Sequence, residues 1–460
     1  MTDNANTVQT DLGTEKISKL LWRFTVPAVV GLVVNSLYNI VDRIFVGNGV
    51  GALGLGAIAV SFPVVIFMMA VGMMVGVGGS VNFSVRLGQK KILLAEKFLT
   101  NAVVLIFVFA VTVCLFLFVF LDKILGFLGT TDAIRPYAET YIRICLTSGV
   151  FFMVNIVLNN FIRACGHPRY AMGSLIVGAV LNLVFDPIFI FVLNKGIAGA
   201  AAATVIAQTA SFFWSASFFV FKSPFKIRRK YLVPRVKVSL SILHVGMAQF
   251  AIQLCGGFVQ TLLNRSLKAY GGDNALSAMS VSTTTVLFLL MPVIGLCEGA
   301  QPIVGFNFGA QKFDRVRRVY KIMLTGATVI CVFSWIFINS QTRFIALLFN
   351  PNDPVWLETA LMALHTASLA LPTVGMQIAT SLFLQATKKP RAAMFLVLSR
   401  QLLLLIPALK ILPSFFGLYG VYLAIPVSDF VCFLFAFVLM LRQLNHYKKV
   451  QKTQNTDAAP

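Results

Sequence analysis

No nucleotide-binding loop of the form GxxxxGK[ST] occurs in the 460 residues, and no HExxH. The first absence excludes ATP hydrolysis by this chain, and the second a zincin-type site. Only four histidines are present, scattered at His167, His244, His365 and His446. Seven cysteines occur without a CxxC, all in or at the ends of apolar runs, so they read as small buried hydrophobes rather than disulfides or metal ligands. Charge is scarce as well: 12% of residues are charged, against about 25% in soluble domains. Acids are scarcest, 16 against 38 Lys and Arg. Residues 1–15 lack a basic stretch leading into a short apolar core, so no cleaved signal peptide is expected. An enzyme is not expected, and neither is a cofactor.

What the chain has is hydrophobicity. Of its residues 58% are hydrophobic and mean hydropathy is +0.84. Apolar runs of the roughly 20 residues needed to cross a bilayer recur at 24–46, 52–81, 99–121, 137–161, 171–193, 198–221, 241–266, 275–304, 319–341, 358–385, 394–411 and 417–440. The expected fold is an all-α membrane protein of twelve transmembrane helices. With both termini on one side, the seven segments on that side, with Lys321 at the edge of the span that follows one of them, carry 28 of the 38 Lys and Arg, and the opposite six carry five. That asymmetry is the positive-inside signal, so both termini are expected in the cytoplasm. It also accounts for the net charge of +22 without nucleic acid, and lets the same lysines reach anionic lipid headgroups.

The chain is duplicated. Residues 161–172 (FIRACGHPRYAM) recur as 383–394 (FLQATKKPRAAM), with six of twelve positions identical. Leu55–Ser61 echoes Leu276–Ser282 at an offset of 221, as Gly88–Lys91 does Gly309–Lys312 and Gly196–Gly199 does Gly417–Gly420. Six spans fill the offset, so the halves share one orientation. Two six-helix bundles related by a pseudo-two-fold along the membrane normal are expected. The expected organisation is a cytoplasmic tail at 1–15, an N-lobe at 16–221, a solvated basic linker at 222–240, a C-lobe at 241–442 and a tail at 443–460. Two lobes able to rock suit alternating access better than a fixed pore.

Ionisable residues inside hydrocarbon are costly and mark ion or substrate handling. Asp42, Asp186 and Thr204 fall at similar depth in spans one, five and six, at about 1.5 Å per residue. Tyr38 lies one turn from Asp42, and Asn182 one turn from Asp186. Pro187 has no N–H, which frees the carbonyl of Leu183. This oxygen-rich set suits a hard cation such as Na⁺. Two neighbouring carboxylates also resist double ionisation, so protons fit equally. The C-half lacks the acidic pair. There Glu298 and Arg400 match in depth and oppose in charge, as a structural ion pair or as part of a substrate cleft. Asp429 has no evident partner, and Glu139 with Arg143 forms a local i,i+4 pair. Pro27 weakens span one and is a candidate hinge. The methionines of span two, Met68 to Met74, could help line a cleft for apolar cations.

Taken together, Tyr38-Asn-Ile-Val-Asp42, Ala164-Cys-Gly-His-Pro168, Asn182-Leu-Val-Phe-Asp-Pro187, Gly295-Leu-Cys-Glu-Gly299 and Gln385-Ala-Thr-Lys-Lys-Pro390 resemble the multidrug and toxic compound extrusion (MATE) family, over about residues 15–445. The resemblance implies two six-helix bundles around a central cleft and export of cationic, amphipathic drugs in exchange for H⁺ or Na⁺, from the bacterial cytoplasmic membrane. It places the cation site on residues matching Asp42, Asn182, Asp186 and Thr204. The family's other branch uses acids in span seven, and span seven here has none. A flippase or exporter of a lipid-linked or polyanionic precursor is the alternative within the same superfamily. A monomer in the bilayer is expected, with no nucleic-acid partner.

Overall fold

The computed structural model describes residues 12–349 and 353–457. Most of the expected N-terminal tail, and the last three residues of the C-terminal one, lie outside them. The described residues are almost entirely helical, with no strand. The helices are α1 (Ile17–Gly49), α2 (Ala52–Gly88), α3 (Ile92–Val119), α4 (Leu121–Phe127), α5 (Arg135–Ala164), α6 (Pro168–Pro187) and α7 (Gly196–Ser217). Then follow α8 (Val236–Gly272), α9 (Asn274–Gly309), α10 (Phe313–Phe349), α11 (Pro354–Ser368), α12 (Leu371–Ala386), α13 (Pro390–Leu398) and α14 (Ile406–Asp457). Short π-helical turns, Ile188–Val192, Phe218–Lys222 and Ser399–Leu405, follow α6, α7 and α13.

Among the described residues, ten helical stretches are long and apolar enough to cross a membrane on their own. α11 and α12 add one crossing, bent by 47° where Pro372 enters the first turn of α12. The stretch Pro390–Val450 is 61 residues long, about 90 Å at helical rise and so some three bilayer cores. It breaks at Gly417, whose φ of 57° is open to glycine at little cost, and Gly420 comes back against the backbone of Leu412. Counting both arms gives the twelve spans read from hydropathy. The bend in span ten was hidden because its two helices form one apolar run.

The duplication is written into the backbone. Left-handed residues occur at Gly51 and Gly272, Lys90 and Gln311, Gly166 and Lys388, and Gly196 and Gly417, each pair 221 or 222 positions apart. The turns are therefore preserved even where one copy has lost its glycine. Aromatic anchors repeat too. Phe161 packs edge-on to Phe83, which packs in turn on the buried Phe225. Its counterpart Phe383 stacks on Tyr320 at 3.8 Å and meets Tyr447 edge-on at 6.0 Å.

The chain forms two compact units, Val26–Gln253 and Leu254–Pro460, and the second also takes Lys16–Thr25. These bounds differ from the expected lobes, and glycines explain the difference. In the first unit a Cβ on Gly78 of α2 would lie 2.9 Å from the backbone nitrogen of Gly246, and closer still to the carbonyl of Ile242. The start of α8 therefore belongs with α2. In the second unit a Cβ on Gly299, 221 positions after Gly78, would lie 2.9 Å from the carbonyl carbon of Phe24. The start of α1 belongs with α9 by the same rule. Small residues let helix backbones approach closely, the usual source of helix association in lipid. The backbone of the segment 222–240 is tied to α3, its side chains are mostly exposed, and helix resumes at Val236. The C-terminal tail continues α14 as helix to Asp457.

Gly78→Leu and Gly299→Leu should each destabilise the protein by about 1–3 kcal/mol, the usual cost of overpacking. Gly256→Leu, where nothing lies within 4 Å, should leave stability unchanged. Thermal unfolding in detergent measures all three, and equal midpoints would refute the close-approach account.

Candidate functional site

Three helices of the first unit bring the polar residues together. α6 and α7 lie antiparallel, and their register is set by a reciprocal pair. Ser174 Oγ donates to the Ser211 carbonyl at 3.1 Å, and Ser211 Oγ to the Ser174 carbonyl at 3.0 Å. Asn155 of α5 reinforces it, accepting from Ser215 Oγ at 2.6 Å and Ser174 Oγ at 3.3 Å. Eight residues on from Ser174 comes Asn182, and seven back from Ser211 comes Thr204, so the register sets them opposite. The Asn182 Nδ2 lies 3.5 Å from Thr204 Oγ1 and 3.4 Å from Asp186 Oδ1, one turn further along α6. Asp186 is 0% exposed and Asn182 2%.

α1 supplies the rest. The carboxyl of Asp42 is within hydrogen-bonding reach of Asp186, and Tyr38 is close enough to feel both charges. All five residues of the expected cation set thus lie in one place. Three oxygens there, Asp42 Oδ1, Asn182 Oδ1 and Asp186 Oδ2, are buried and have no hydrogen-bond partner among the described residues. Buried polar atoms are rarely left so, and each costs about 1–3 kcal/mol unless something binds it. Carboxyl, amide and hydroxyl oxygens form a hard donor set, suited to Na⁺, while two carboxyls in contact suit a shared proton. Among the described residues no three His, Cys, Asp or Glu gather as a transition-metal site.

Pro187 acts as its chemistry requires. The Ile188 N–H donates to the Phe185 carbonyl, which leaves Leu183 without the partner that position 187 would normally give. A π-helical turn follows at once. Such turns recur at functional sites in helices.

Two residues near the site were not anticipated. Tyr141 and Cys145 of α5 stand one turn apart, in contact with each other, and both feel the charge of Asp42. Their i,i+4 spacing on a span was the available signal. It was eclipsed by Glu139 and Arg143, which do form the expected local pair at 2.8 Å.

In the second unit one pairing is corrected. Arg400 binds Asp429, through Nε to Oδ1, and not Glu298. Gln377 Nε2 donates to the Asp429 carbonyl at 2.7 Å and holds that residue in place. Depth along the sequence put Arg400 level with Glu298, but depth does not fix azimuth. The π-helical turn Ser399–Leu405 re-aims Arg400, and α12 packs on α14 to carry Asp429 there. Asp429, read from sequence as unpartnered, is thereby explained.

Twelve apolar helical spans define a multi-pass membrane protein with this polar cluster inside its first unit. The MatE family description matches the chain twice, over residues 27–188 and 247–409, so the chain belongs to the MatE family. The double match restates the duplication. Relatives include the multidrug export protein MepA of Staphylococcus aureus, 27% identical over 92% of this chain and 93% of that one. Among solved structures, an outward-facing multidrug resistance MATE family transporter of the MOP superfamily superposes with a TM-score of 0.90, at 24% identity over 96% of this chain and 98% of that one. A MOP superfamily transporter from Pyrococcus furiosus, described as having a binding pocket of reversed polarity that suggests a different function, also gives 0.90, at 24% identity over 95% and 98%. At that identity the structures establish the fold.

Arg400→Gln and Asp429→Asn should each cost about 3 kcal/mol, since each strands a partly buried charge. The double variant should recover part of the loss. A double-mutant cycle on thermal stability reads the coupling directly, and a coupling of zero would show that the two act independently.

Proposed function

We propose that this chain is a cation-coupled multidrug antiporter of the bacterial cytoplasmic membrane, with both termini inside. It exports cationic or amphipathic toxic compounds by alternating access, in exchange for H⁺ or Na⁺. The observation that carries this reading is the cluster of three unpartnered buried oxygens around the Asp42–Asp186 contact. A site of that kind holds a cation or proton in one state and must be emptied in another, which is what exchange requires. Asp42, Asn182, Asp186 and Thr204 are the proposed ligands, with Tyr38 closing one side. The kinship with MepA supports drugs as the cargo. The alternative, export of a lipid-linked or polyanionic precursor, calls for a cationic binding surface, whereas this cluster is acidic.

Pro27 gives the site a way to report its occupancy. α1 runs unbroken through Pro27, and the boundary between the two compact units falls between Thr25 and Val26. Asp42 stands 15 residues further along the same helix, about four turns. A bend at the proline, where one helical hydrogen bond is already missing, would carry Asp42 by several ångströms and couple ion binding to drug release.

Efflux of ethidium from loaded proteoliposomes, driven by an imposed Na⁺ or pH gradient, tests the proposal. Asp42→Asn and Asp186→Asn should each lower gradient-driven efflux at least tenfold, with insertion and thermal stability retained. Wild-type rates in both variants would remove the coupling site. The gradient that sustains wild-type efflux names the ion.

Pro27→Ala should slow turnover more than it weakens drug affinity, because it restores a hydrogen bond in the helix that must bend. Transport rates and equilibrium drug binding, measured on one preparation, separate the two. Unchanged turnover would leave rigid-body motion as the coupling.

A further inference from the structure

The segment between α7 and α8 is short and strongly basic. It starts at the end of one candidate span, Lys222, and ends at the start of the next, Val236. Its seven cations are Lys222, Lys226, Arg228, Arg229, Lys230, Arg235 and Lys237, and residues 222–237 contain no acid. Such a composition reads as a floppy solvated linker, but its backbone is held at four points by one face of α3. The buried carboxylate of Glu96 accepts from the Lys226 N–H at 3.0 Å and from Arg228 Nε. Thr100 Oγ1 accepts from the Arg228 N–H at 3.1 Å. Asn101 accepts from the Arg235 N–H at 2.9 Å and donates to the Tyr231 carbonyl at 3.2 Å. Phe225 is buried edge-on against Phe83, ring centres 5.1 Å apart, and pins the near end. The guanidinium of Arg228 is held protonated more firmly than usual by its bond to Glu96.

With its backbone turned to α3, this strap presents most of its side chains outward, Phe225 and Arg228 excepted. Val233 is 78% and Leu232 46% exposed, flanked by Phe221 and Val236 at the ends of the adjoining spans and interleaved with exposed lysines and arginines. An aqueous linker has no reason to display large apolar side chains in a fixed array. The boundary between acyl chains and headgroups gives one, because apolar groups enter the acyl region while cations stay at the phosphates. Both neighbours of the strap are spans, so it cannot leave the membrane face. Its single-signed charge complements an anionic leaflet.

We propose that residues 221–237 form a docking surface for anionic phospholipid, presented by Glu96, Thr100 and Asn101. Phe221 and Val233 enter the interface, and Lys226, Arg229, Lys230 and Arg235 engage headgroup phosphates. This assignment is independent of which ion or cargo the transporter carries.

The test uses the full chain in liposomes with a Val233→Trp reporter. Quenching by brominated phosphatidylglycerol is compared with brominated phosphatidylcholine at equal mole fraction, after subtracting the signal of the parent's four tryptophans. Added quenching by the anionic lipid should be at least twofold that by the zwitterionic one. Changing Lys226, Arg229, Lys230 and Arg235 together to Gln should bring the ratio to one. Should that variant fail to insert, 1 M salt on the unaltered strap should abolish the preference, since screening then acts within about 3 Å. Equal quenching by the two lipids, or a preference that survives both neutralisation and salt, overturns the proposal. Absence of quenching by either lipid places the strap in water and does the same.

Discussion

A carboxyl group carried into hydrocarbon must find a donor, a proton or a cation, because no water is there to take it. Asp186 is fully buried and lies against a second carboxyl, Asp42. The surrounding bundle is organised to tolerate that contact. The Ser174/Ser211 register brings Asn182 and Thr204 to the same level, and Pro187 withholds a backbone donor where an acceptor is useful. The register adds the Asn182 and Thr204 oxygens beside Asp186. A bundle optimised only for stability would have paired or deleted the acids, as apolar packing is often the more stable solution. Their retention as a pair is the physical reason for reading this place as one where something binds and leaves.

The two halves began as copies and have diverged in chemistry while keeping their backbone. Turns with positive φ recur at constant offset, and so do the Gly78 and Gly299 contacts and the Phe161 and Phe383 anchors. Acids have not been kept at equivalent positions. The first unit groups its carboxyls with neutral oxygens, whereas the second neutralises Asp429 directly with Arg400. One fold therefore carries a cluster of carboxyl, amide and hydroxyl oxygens in one copy and a closed ion pair in the other.

Much of this was readable from residues. Span positions, the repeat and the Asp42, Asn182, Asp186, Thr204 and Tyr38 grouping follow from apolar run length and depth at a known rise per residue. Depth is one coordinate of three, and the misreadings fall where azimuth matters. Glu298 and Arg400 share a level, but a π-helical turn rotates Arg400 to Asp429. The hold on the basic run after α7 was not legible either, because composition reports side chains and is silent on where backbone N–H groups go. Those groups go to Glu96, Thr100 and Asn101, polar residues in an apolar helix whose partners lie some 130 positions away. The bend at Pro372 escaped notice because the broken span stays apolar throughout.

α1 is the element in which these threads meet. Its first turns pack with α9, fixed by the closeness of Gly299 to Phe24 and Thr25, while its remainder belongs to the unit that holds Asp186. The helix thus has two masters, and the proline lies within two residues of the place where they change. A straight, fully bonded helix would transmit any disagreement between its ends as strain along its whole length. One with a missing hydrogen bond at the change-over confines the disagreement to a single turn. Asp42 stands four turns further along, so in the proposed hinge a small local rotation would change its distance from Asp186. In that proposal the lever and the pivot would both lie in this one helix.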